Sequence, residues 1–181
     1  MAAPRAFALA LALALTLAAS PSIAADPPAR PPNPQIDYAA FAALVAGLAP
    51  VREAHRLPFA EFSRQARAKG ALLLDARSES AFAQGHLKGS VNLPFSDFTD
   101  ESLRRVIGAN PDRPIYIYCN NNFADNRAPV VTKRIALALN IPTFINLHGY
   151  GYRNVWELAD VIATDGPGVE WQSSDKAGNA G

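Results

Sequence analysis

Cysteine is nearly absent from this chain: Cys119 is the only one in 181 residues. A lone cysteine excludes an intramolecular disulfide, so stability has to come from an apolar core. It leaves one thiol that is either a reactive group or a buried structural residue. An excess of one charge sign is also missing. Seventeen Lys and Arg against 16 Asp and Glu give a net charge of +1, too little for the basic footprint that holds nucleic acid or an anionic membrane. The three histidines and Cys119 show no metal-ligand spacing. The apolar run Ala6 to Ala19 has 14 residues, short of the roughly 20 that a membrane-spanning helix needs.

That run has a different meaning. Arg5 precedes it, and the small residues Ser22-Ile23-Ala24-Ala25 follow. This layout predicts a signal peptide over residues 1–25, cleaved after Ala24 or Ala25. No cysteine stands at the cleavage site, which excludes a lipid anchor there. Loss of Arg5 leaves a neutral mature chain. Richness in Ala, Pro and Arg suits an exported bacterial protein, in the periplasm or secreted, with no membrane association after cleavage.

The prolines mark the organisation that follows. Pro27-Pro28, Pro31-Pro32 and Pro34 predict an extended leader over 26–36. Tyr38, Phe41, Leu44, Val45 and Leu48 recur at helical spacing, with Asp37 as cap and Gly47 and Pro50 at the end. They predict an accessory helix within 37–50. A main domain over 51–163 then alternates helices with short apolar strands. A linking segment carries an edge strand near His55 to Leu57, and Pro58 to Ala68 reads as a helix. Ala71 to Leu74 reads as a strand buried on both faces, Ser78 to Gln84 as a capped helix, Ser90 to Pro94 as a strand and Ser96 to Gly108 as a helix. Ile115 to Tyr118 is a strand that runs straight into Cys119. A helix beginning near Ala128 or Pro129 and continuing through Leu139, a strand over Thr143 to Leu147 and a closing helix over Asn154 to Ile162 complete the expectation. Residues 164–181 read as a disordered tail. The fold class is α/β, a central parallel sheet with helices on both faces. The crossover rule brings the loops after Asp75, Tyr118 and Leu147 to one end of the sheet, which makes Cys119 and His148 neighbours. A thiol at a strand's carboxyl end, followed by a loop and a helix, lies where such sheets bind ligands and where free N–H groups favour an anion.

Several stretches resemble the rhodanese domain family. Leu73-Leu74-Asp75-Ala76-Arg77, Ala81-Phe82 and Gly85 to Pro94 are similar to its amino-terminal signature. Ile115 to Cys119 resembles the strand that delivers its cysteine, and Asn146 to Tyr152 with Trp156 resembles its closing region. The likeness covers roughly residues 54–163 and extends, through Cys119-Asn120-Asn121-Asn122-Phe123, to an exported bacterial subgroup with an altered loop. It implies a sulfurtransferase in which Cys119 attacks a sulfur donor, holds a persulfide and passes the outer sulfur to a thiophile. The main-chain N–H groups of Asn120, Asn121, Asn122 and Phe123 would cradle the persulfide and the donor. Family members place an arginine about five residues after the cysteine. Here positions 124 and 125 are Ala and Asp, and Arg127 is the first arginine, either an anion clamp or a surface charge. His148 is either a base beside the thiol or a turn residue. Asp75, Arg77 and His86 read as structural, and Tyr150 and Tyr152 either wall the pocket or pack over the closing helix. The expected partners are a small sulfur donor or a thiol-bearing protein acceptor, for a monomer or weak dimer without cofactor or metal. Two other functions compete: a catalytically weak binding module on the same scaffold, and an oxyanion site of the phosphatase or arsenate type.

Overall fold

The computed structural model describes residues 33–173. The expected signal peptide, the first part of the leader and the end of the tail lie outside the described residues. Residues 33–36 form an exposed turn in which Asn33 Oδ1 accepts the Gln35 N–H at 3.0 Å. The remainder, from Asp37, forms a second unit.

Five strands make its parallel sheet: β1 (Arg56–Leu57), β2 (Leu72–Asp75), β4 (Val91–Asn92), β5 (Ile115–Tyr118) and β6 (Val155–Leu158), in the spatial order β1-β6-β5-β2-β4. β5 lies in the middle, with Leu74 opposite Ile117 on one side and Tyr116 opposite Trp156 on the other. Alternation along β2 and β5 sends Leu72, Leu74, Ile115 and Ile117 into one core layer and Leu73, Tyr116 and Tyr118 into the other. The first layer is closed by α4 (Asp100–Ile107) and α5 (Asn140–Gly149) through Leu103, Ile107, Phe144 and Leu147, all essentially inaccessible. The second is closed by Phe62 of α2 (Phe59–Ala66). Helices on both faces explain why these strands read as unbroken apolar runs. α3 (Glu79–Gln84) is capped by Ser78, whose Oγ accepts the Ala81 N–H at 3.3 Å.

The carboxyl-terminal third departs from the sequence expectation. Thr143 to Leu147 is not a strand but the interior of α5. Its β-branched and aromatic residues suggest a strand, yet Thr143, Phe144 and Leu147 meet the sheet at helical spacing, and Pro142 sits harmlessly in the first turn. Asn154 to Ile162 is not a helix, because Val155–Leu158 fills the sheet position between β1 and β5. No helix starts near Ala128: residues 124–134 form an irregular excursion, followed by a single 3₁₀ turn at Ile135–Leu137. The expected disordered tail is also corrected over its described part, since β7 (Trp171–Gln172) pairs antiparallel with β3 (His86–Leu87).

α1 (Tyr38–Ala54) is longer than the sequence suggests and continues through Pro50. A proline in a helix interior removes one hydrogen bond and costs about 3 kcal/mol. Two tertiary contacts favour the continuation: Leu48 packs on the core, and Arg52, one turn on, reaches Glu157 of β6 with Nη2 to Oε1 at 2.6 Å. Among the described residues no helix is long and apolar enough to cross a membrane.

Candidate active site

Cys119 leaves the end of β5 in extended conformation, and Asn120–Asn122 make a 3₁₀ turn. Phe123 then forms a β-bridge with Ile162, and Ala124 N–H donates to Ile162 O at 2.9 Å. The loop is thus anchored to the sheet before the chain departs. It returns as Leu139 and Asn140, the first turn of α5.

This return creates the environment of the thiol. The backbone N–H groups of Asn140, Asn121 and Leu139 each favour the negative form of the Cys119 thiol. Two of these donors come from the amino end of a ten-residue helix, where free N–H groups and the dipole favour negative charge. Burial nevertheless dominates: it pushes the Cys119 thiol above its usual range, the three amides pull it back only in part, and Glu157 adds an upward push. Cys119 is 1% exposed and forms part of the wall of a cavity of about 770 Å³.

The three asparagines have different tasks. Asn122 is buried; its Oδ1 accepts the Cys119 N–H and Asn140 Nδ2, both at 2.9 Å, and its Nδ2 donates to Leu158 O and Asp160 O. Asn140 Nδ2 also reaches Glu157 Oε1 at 3.2 Å. A buried polar chain therefore runs from the cysteine loop through Asn122, Asn140 and Glu157 to Arg52. Asn120 and Asn121 turn the other way. Asn120 Nδ2 donates to Val131 O at 2.8 Å, and Asn121 exchanges two bonds with the Lys133 backbone, at 2.8 and 3.0 Å. These side chains fasten the 124–134 excursion over the cavity.

The other sequence-based candidates are placed as follows. Phe123 takes no part in a cradle: its N–H closes on Asn120 O at 3.1 Å, and its ring packs edge-on against Tyr118 and Trp171. Arg127 is not a clamp here, for its side chain is 76% exposed, pairs with Asp125 at 3.6 Å and lies outside the cavity wall. Asp125 accepts the Thr164 N–H and Oγ1, which hold its carboxyl below the usual range.

His148 is not a neighbour of Cys119. It sits eight residues along α5 from Asn140, about 12 Å at 1.5 Å per residue, toward the opposite end of the sheet. There its Nδ1 lies 3.0 Å from Phe144 O, and burial lowers its pKa. The expected neighbourhood assumed a strand where α5 stands. Tyr150 and Tyr152 bond the carbonyls of Phe98 and Gly108 and do not line the cavity.

Asp75 and Arg77 form a buried pair at 2.6 Å, joined by Tyr118 Oη at 2.7 Å from Asp75 and by Gly85 O at 2.7 Å from Arg77. His86 stacks on Phe82 and contacts Gln172. Sequence reasoning missed Glu157 and Arg52, and also Lys133 and Arg134, both in the cavity wall. A usable signal was the basic pair on an apolar stretch between the loop and Asn140-Ile141-Pro142, where proline opens a helix. Among the described residues no three His, Cys, Asp or Glu side chains converge to hold a metal ion.

The chain is 27% identical over 107 residues to the adenylyltransferase and sulfurtransferase uba4 of Sclerotinia sclerotiorum, covering 55% of this chain and 23% of that protein. It is 34% identical over 58 residues to the uncharacterized protein YqhL of Bacillus subtilis, covering 32% of this chain and 43% of that one. The chain thus spans less than half the length of these curated relatives. Among solved structures, BH2092 from Bacillus halodurans is 17% identical with a TM-score of 0.43, over 75% of this chain and 88% of that one. The rhodanese-like domain of Alr3790 from Anabaena is 18% identical with a TM-score of 0.46, over 70% and 85%. The rhodanese-like domain model matches residues 59–160, more than half of the sequence, and the chain belongs to the rhodanese-like domain family.

Proposed function

We propose that this protein is a sulfurtransferase-type carrier that holds sulfane sulfur as a persulfide on Cys119 and passes it to a thiol or another thiophile. The observation that carries this reading is a thiol at the carboxyl end of β5, in the wall of a large cavity and beside the amino end of α5, where the backbone N–H groups of Leu139 and Asn140 favour its negative form. These donors stabilise negative charge on sulfur wherever it resides, on the attacking thiolate or on the terminal atom of the persulfide. In the loading step the Cys119 thiolate attacks the outer sulfur of a donor R–S–SH. The donor S–S bond breaks, its electron pair leaves with R–S⁻, the new S–S bond forms on Cys119, and the proton stays on the outer sulfur. No net oxidation occurs. Passing the sulfur on repeats the exchange in the other direction. The relative named as an adenylyltransferase and sulfurtransferase supports the same chemistry.

A second reading, a binding module with little turnover, is favoured by the upward push of burial on the thiol. The oxyanion reading loses its clamp, because Arg127 faces away. From the amino-terminal pattern we also infer an exported protein of the bacterial subgroup with this loop, acting in the periplasm or outside the cell. Exposing the purified protein to thiosulfate, polysulfide and an organic persulfide tests the first reading: Cys119 gains about 32 mass units, one sulfur atom. A thiol that stays unmodified under every donor leaves the binding module.

A further inference from the structure

The cavity beside Cys119 is far larger than an inorganic donor requires. Its volume is about 770 Å³, within the range of about 300–1,000 Å³ of sites for organic ligands. A water molecule takes about 30 Å³ of liquid volume, so a five-atom ion such as thiosulfate would leave most of it to solvent. The wall is largely apolar, through Pro129, Val131, Leu137 and Leu139 among others, and contains no Asp or Glu. It does contain Lys133 and Arg134, and among the described residues neither makes an ion pair. Arg77 in the same wall is already matched by Asp75.

Lys133 is also held in place. Both its backbone N–H and its carbonyl are bonded to the Asn121 side chain, at 3.0 and 2.8 Å, so the middle residue of the cysteine turn fixes the backbone of the cationic one. The Thr132 N–H, between Val131 and Lys133, donates to Asn126 Oδ1 at 3.0 Å, a further tie on this stretch of backbone. Val131, Lys133 and Arg134 all stand in the cavity wall.

We propose that Lys133 and Arg134 form an anion-recognition site for the carboxylates of an organic persulfide, whose body lies in the cavity while its terminal sulfur reaches Cys119. The assignment rests on the persulfide-carrier reading for its chemistry, but the site itself is a matter of binding. The step is the loading reaction given above, with R an acidic organic group.

The test has two arms, on the whole protein. In the first, calorimetry follows S-methylglutathione, which carries two carboxylates and has no sulfur to give, against its diester, which has lost both carboxylate charges. The acid binds about tenfold tighter than the diester, and Lys133→Ala/Arg134→Ala removes that preference while circular dichroism stays unchanged. In the second, mass spectrometry follows Cys119 loading by glutathione persulfide and by 2-hydroxyethyl persulfide. The double variant slows the first about tenfold and leaves the second within about twofold. Equal binding of acid and diester, or a preference that survives the double variant, overturns the proposal. Selective binding without loading by any donor upholds the anion site and overturns the carrier reading instead.

Discussion

Arg52→Met tests whether α1 supports Cys119 from a distance. Arg52 Nη2 lies 2.6 Å from Glu157 Oε1, and the Glu157 side chain is only 6% exposed. Removing one member of a buried ion pair costs about 3–5 kcal/mol, because a charge is left without a partner. The Arg52 side chain is 24% exposed, so solvent screens part of the interaction, and the expected loss is about 2–3 kcal/mol. With a urea slope of about 2 kcal/mol/M, the unfolding midpoint falls by roughly 1 M. The same substitution acts on chemistry. Glu157 already pushes the Cys119 thiol upward, and without Arg52 its charge is less compensated. The midpoint of Cys119 alkylation against pH therefore rises in Arg52→Met and falls in Glu157→Gln. In the double variant both effects shrink, with a coupling of at least about 1 kcal/mol in stability. A midpoint and an alkylation profile both unchanged in Arg52→Met would refute the buried-chain argument. So would simple additivity in the double variant.

Other substitutions read different parts of the structure. Asn122→Ala removes an amide that serves four partners, three of them buried, and lowers stability by about 2–4 kcal/mol, read by urea unfolding. Asn121→Ala changes global stability by less than about 1 kcal/mol, since its bonds are exposed, but speeds hydrogen exchange at the Lys133 amide. Gly85→Ala is strongly destabilising, because an added Cβ would overlap the Trp171 indole, and a lowered thermal midpoint reports it. The Cys119 thiol is raised in the native state, so its contribution to stability is full below the unfolded thiol pKa of about 8.5 and is lost as pH rises from there toward the native value. Tyr118, also raised, begins to contribute its own decline only from about 10. Between these two points the slope of stability against pH should flatten in Cys119→Ser.

The amino-terminal two-thirds of the fold was legible because its signals are local. Leu72–Leu74 and Ile115–Tyr118 are apolar without a break, and Ser78 announces a cap. Cys119 stood out as the single thiol at a strand end. The last third was not legible, because its elements are decided by distant partners. Thr143, Phe144 and Ile145 favour a strand until Phe144 and Leu147 are pressed together onto the sheet. Glu157 looks like a residue of an exposed helix until Arg52, more than a hundred positions earlier, meets it inside. The expectation of an arginine at short spacing from the cysteine drew attention to Arg127. The cations in the cavity wall arrive later in the chain, brought back by two asparagine side chains whose bonding no spacing rule anticipates.

The way the 124–134 excursion is tied down separates two properties that many enzymes keep entangled. It leaves from a residue bridged to Ile162 and rejoins at the head of a packed helix, and of its own residues only Val130 is buried in the core layers. The residues there other than Val130 can be exchanged, lengthened or recharged to admit a different guest without disturbing strand order. The asparagine turn serves as a fixed mounting, and what is mounted on it is interchangeable.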